Sequence, residues 1–73
     1  MENKIENFKR IAGNRTNKII ETISSLTNLS NTSYYEYTNE EIEKIFNAII
    51  EEAEKTKKVL LDANNNSKKR FTL

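Results

Sequence analysis

Two groups of residues in this chain could do chemistry. Asn14, Arg15 and Asn17 stand together in GNRTN, residues 13–17, and all three tyrosines, Tyr34, Tyr35 and Tyr37, fall within NLSNTSYYEYT, residues 28–38. A guanidinium grips phosphate through two parallel hydrogen bonds, and an asparagine can recognise the edge of a base or ribose. A tyrosine ring offers a flat amphipathic face on which a nucleobase stacks, worth about 1 to 3 kcal/mol per base. With Asn28, Ser30 and Asn31 as further polar contacts, these residues form a candidate site for a small anionic ligand of nucleotide type. Each group also has a structural reading. Gly13 can let two helices approach closely while Arg15 snorkels to solvent, and Tyr34 and Tyr35 can cover the open end of a helical bundle.

Catalysis is not expected. The chain has no histidine and no cysteine, so the commonest general base and the best nucleophile are missing. The same absence removes disulfides and the usual zinc ligands, and no glycine-rich phosphate loop is present. No cofactor or metal is therefore expected. Glu40, Glu41 and Glu43 form a carboxylate run, but acidic groups in a first helical turn are favoured by the helix dipole. Glu51, Glu52 and Glu54 beside Lys55, Lys57 and Lys58 read as a solvated face with i,i+4 pairing.

The elements that must position these groups are helices. There is no proline and a single glycine, so nothing breaks the chain into strands and hairpins. Ile5, Phe8, Ala12, Ile19, Ile23 and Leu26 recur at mostly three- and four-residue spacing, which predicts a first helix at about residues 4–29, started by Asn3 with Glu6. Between Ala12 and Ile19 the apolar stripe meets Arg15 or Thr16, a polar notch. A second helix is predicted at about residues 39–61. Ile42, Phe46, Ile49, Ala53, Thr56 and Leu60 step by four and three in alternation, and Ile45, Ile50 and Val59 widen the face. Thr38 and Glu41 make a capping box, and Tyr37 and Ile42 occupy the two positions of a hydrophobic staple. In the intervening loop, residues 30–38, Asn28 or Asn31 can take the left-handed conformation that ends a helix, and Ser30, Thr32 and Ser33 can satisfy exposed backbone groups.

A chain of 73 residues buries only about 60% of the surface its unfolded form exposes, and two antiparallel helices cannot cover both stripes. The expected fold is all-α: a helical hairpin over residues 1–62 that assembles as a symmetric homo-oligomer, a four-helix bundle in the dimer. Residues 63–73, ANNNSKKRFTL, are expected to form a basic C-terminal tail with poor helix formers. The net charge of +1 is uneven, running +2 over residues 1–29, −4 over 30–62 and +3 over 63–73. Lys68, Lys69 and Arg70 are the candidate phosphate contacts if the target is DNA, although the acidic second helix would be repelled by it. Met1 to Arg10 lacks the apolar block of a signal peptide, and no apolar run approaches a membrane span, so a cytoplasmic location is expected.

Arg15-Thr16-Asn17, the N-L-S-N turn at residues 28–31, Y-x-Y-T at 35–38 and the E-x-x-K-I-F helix at 41–46 together resemble a pattern of small proteins from phages, prophages and other mobile elements of low-GC bacteria. Thr27 stands where that pattern has a glycine before N-L-S-N. The resemblance implies a non-enzymatic accessory protein directed against host defence, acting in the host cytoplasm. Joined to the candidate site, it points to sequestration of a nucleotide signal in pockets at subunit interfaces. The alternatives are a DNA-binding regulator and an inhibitor that binds a host protein.

Overall fold

A computed structural model describes residues 3–68 of the chain, with side chains described for residues 3–66. All regular structure among the described residues is helical, in the order α1 (Lys4–Ser25), a 3-10 helix (Leu26–Ser30) and α2 (Asn39–Lys68). The chain falls into two units, Met1–Glu36 and Tyr37–Leu73. No described helix is long and apolar enough to cross a membrane.

In the first unit α1 starts where its cap was expected. Asn3 is extended (φ −82°, ψ 175°), and its Oδ1 accepts from the Glu6 N–H at 2.8 Å, satisfying one of the orphan donors of the first turn. The helix then runs without interruption through GNRTN. A single Gly weakens a helix by only about 1 kcal/mol against Ala. The polar notch is therefore a change in what the helix displays, and the backbone does not break there.

The exit from α1 differs from expectation in extent and in means. α1 stops at Ser25, and the last turn tightens into the 3-10 helix, so the α-helix predicted to about residue 29 ends four residues early. Thr22 Oγ1 donates to Lys18 O at 2.8 Å and Ser25 Oγ donates to Thr22 O at 2.5 Å, while the Leu26 N–H reaches back to Ile23 O. Hydroxyls that bond to helix carbonyls three or four residues back compete with the α ladder, and i to i−3 bonding is the 3-10 pattern. No non-glycine residue among those described has a positive φ, so neither Asn28 nor Asn31 uses the left-handed cap. Asn31 is extended instead (φ −72°, ψ 97°), and its Oδ1 accepts from the Ser33 N–H at 3.0 Å in an Asx turn. That turn satisfies the backbone without the steric penalty a side chain meets in the left-handed region.

In the second unit the capping box forms in full. Thr38 Oγ1 accepts from the Glu41 N–H at 3.1 Å, and Glu41 Oε1 accepts from the Thr38 N–H at 3.0 Å and from the Thr38 hydroxyl at 3.1 Å. The Ile42 N–H donates to Thr38 O at 3.2 Å, closing the first turn. At the other end α2 continues past the expected limit of about residue 61 and through ANNNS to Lys68. The part of the expected tail from Ala63 to Lys68 is thus helical. Once a helix is nucleated, each added residue gains a hydrogen bond for little further ordering. Asn is a poor helix former by well under about 1 kcal/mol per residue and, unlike Pro, does not stop propagation. Lys69 to Leu73 lie outside the described residues.

None of the described side chains is buried. The least exposed residues are Ile11, Ala12, Ile23 and Leu26 in the first unit and Ile42 and Ile49 in the second, each on the apolar face of its helix.

Candidate functional site

Helix continuity through GNRTN decides how its polar residues are arranged. At about 100° per residue, Asn14 and Asn17 lie about 100° and about 160° around α1 from Arg15. Arg15 falls within the apolar stripe, one turn from Ile11 on one side and from Ile19 on the other. Asn14 and Asn17 lie on the polar face with Asn7, Arg10 and Glu21. The expected cluster is therefore divided: the guanidinium belongs to the apolar face and the two amides do not. Ile11, absent from the sequence-based seam, belongs to it. The signal for it was its four-residue spacing to Arg15, which counts only once Arg15 is accepted as a seam position.

The tyrosine loop is built by Asn31. Its carbonyl accepts from the Tyr34 N–H at 3.1 Å and from the Tyr35 N–H at 3.0 Å, while its side chain holds Ser33. One residue thereby fixes the backbone of the turn. Tyr34 is 80% exposed and Tyr35 about half exposed. Tyr37, in the second unit, is the most covered of the three, as befits the position before the Thr38 cap.

These groups are distant along the first unit. From Arg15 to Ser25 is about 15 Å of α-helix, and Leu26–Ser30 adds about 10 Å of 3-10 helix. Asn28 and Ser30 lie in the 3-10 helix and Asn31 directly after it, so they accompany the tyrosine loop and not Arg15. Asn14, Arg15, Asn17, Asn28 and Ser30 are exposed to solvent, and among the described residues their side chains make no hydrogen bond. Of the candidate phosphate contacts, Lys68 ends α2, while Lys69 and Arg70 lie outside the described residues. No group of three or more acidic residues among those described is arranged to hold a metal ion.

The most extensive chemical feature is apolar. On α1, Ile5, Phe8 and Ile19 are 59 to 68% exposed; on α2, Phe46, Ile50 and Leu60 are 40 to 58% exposed. The Glu and Lys side chains flanking the α2 stripe, Glu51 to Lys58, are all exposed, and among the described residues no ion pair joins them, so the expected i,i+4 pairing is not formed. No family model, no curated protein and no solved structure matches the chain.

Proposed function

We propose that this chain is a non-catalytic binding protein that works as a symmetric homo-oligomer held together by the apolar faces of its helices. One observation carries the reading: large aliphatic and aromatic side chains line one face of each helix, and no described residue is buried. Burying such a side chain is worth about 1.5 to 3 kcal/mol, and contiguous exposed apolar surface on this scale marks a partner-binding site. Two copies supply four helices, enough for a bundle core. The test is mass in solution by sedimentation or light scattering with the helix content measured in parallel. The expected result is an assembly of at least twice the 8.5 kDa chain. A helical monomer at high micromolar concentration overturns the reading.

A more specific role, holding a small anionic ligand of nucleotide type, is supported by the placement of Arg15 in the apolar stripe and by the exposure of Tyr34. Buried at an interface, the Arg15 guanidinium would need an anionic or hydrogen-bonding partner. With a separation of about 25 Å along the first unit, Arg15 and the turn that carries Tyr34 and Tyr35 would share a ligand by coming from different copies. Sequestration of a host-defence nucleotide by a mobile-element protein is the biological setting that fits this role. A nucleotide present at 100 times its dissociation constant would stabilise the fold by about 2.7 kcal/mol, so a thermal-shift panel of mono-, di- and cyclic nucleotides tests it. Absence of any shift across the panel removes the role.

A further inference from the structure

We infer that the apolar face of α2 is occupied by α2 of a second copy, antiparallel and in one register, with Ile42 level with Leu60 of the second copy. The inference rests on the homo-oligomer reading and names its interface. Within the seam, residues on the two helices face each other when their numbers sum to 102. Phe46 then meets Thr56 of the second copy and Ile49 meets its Ala53, so the inner layers each join a large side chain to a small one, while Ile42 and Leu60, both large, close the two ends. Setting large against small side chains across facing positions lets the two helices interdigitate closely. The parallel alternative sets Phe46 on Phe46, Ala53 on Ala53 and Thr56 on Thr56, which crowds the first of these layers and hollows the other two.

The flanks of the seam agree. In an antiparallel pair the same-type flanking positions face each other across the seam. On one flank Glu43 meets Lys57 of the second copy, twice by symmetry, with Ile50 against its own copy between them. On the other flank Ile45 meets Val59, again twice, and Glu52 meets Glu52 at the two-fold axis. Ile45, Ile50 and Val59 are 43 to 61% exposed in the single chain, and this arrangement covers all three. Glu43 and Lys57 are exposed and are in no ion pair within the described residues. The one unfavourable contact, Glu52 on Glu52, sits at the rim and distinguishes this register from others.

Three measurements on the full chain test the inference. The chain has no native cysteine, so Asp62→Cys, on the far side of α2 from the seam, takes a single spin label per copy. In the proposed register residue 62 is level with residue 40 of the second copy, which separates the labels by about 33 Å along the axis. A parallel pair brings them within about 20 Å, given interaxial distances of 8–10 Å. Glu43→Lys alone, and Lys57→Glu alone, should each weaken self-association by on the order of 5- to 10-fold, and the double swap should restore it. A parallel pair sets Glu52 near Lys57 of its partner, so the swap would not restore association there. Glu52→Gln should tighten the proposed dimer and would weaken a parallel one. A monomer overturns both the oligomer and this interface. An oligomer with the short label separation, an unrescued swap or a weakened Glu52→Gln variant overturns this interface alone. All substitutions lie at exposed positions, and circular dichroism confirms that the helices persist.

Discussion

Gly13→Ala separates two accounts of the middle of α1. Gly13 is helical, its φ is not positive, and a Cβ built there meets nothing within 4 Å, so alanine fits the chain as it stands. Glycine is about 0.8 to 1.0 kcal/mol less favourable than alanine in a helix interior, through the backbone entropy it must lose. Position 13 also lies about 120° from the centre of the apolar stripe, so a contact made by that stripe should leave it clear. The expected result is a gain of about 1 kcal/mol, which for a domain of this size raises Tm by about 4 to 8 °C. Circular dichroism melts at several protein concentrations, with the mass of the assembly measured at each, provide the assay. If Tm falls, or if the assembly dissociates, Gly13 lies at a close approach between copies where a methyl group collides. The argument from helix propensity and open space would then be refuted.

Other outcomes follow from single side chains. Thr38→Ala removes the acceptor for the Glu41 N–H and the hydroxyl that donates to Glu41 Oε1, and should lower stability by about 1 kcal/mol in a thermal or urea melt, while Thr38→Ser should retain most of it. Arg15→Leu completes the α1 stripe between Ile11 and Ile19; if that stripe is buried on assembly, the gain of about 1.5 to 3 kcal/mol should tighten association more than tenfold in a dilution series. Unchanged association would place α1 outside the interface. Asn31→Ala removes the side-chain acceptor for the Ser33 N–H and should loosen the tyrosine turn, seen as faster amide exchange at Ser33, with α1 and α2 unaffected.

The two helix entrances and the two apolar stripes were legible in the chain because both depend on short range. A cap needs one oxygen and an N–H three residues on, as Asn3 with Glu6 and Thr38 with Glu41 supply. A stripe needs only the 3.6-residue period, as Ile42, Phe46, Ile49 and Leu60 show. Three features needed the structure. Composition marked ANNNS as tail, yet α2 passes through it, since helix extension is cooperative and each Asn opposes it only weakly. Several residues between Leu26 and Ser33 could have ended α1, and the choice among a left-handed cap, a 3-10 turn and an Asx turn depends on differences of a few tenths of a kcal/mol that residue types alone do not resolve. The third is the candidate site itself. Asn14, Arg15 and Asn17 are adjacent in the chain, and only an unbroken helix, turning about 100° at each residue, sends the guanidinium to the apolar face and the amides to the other.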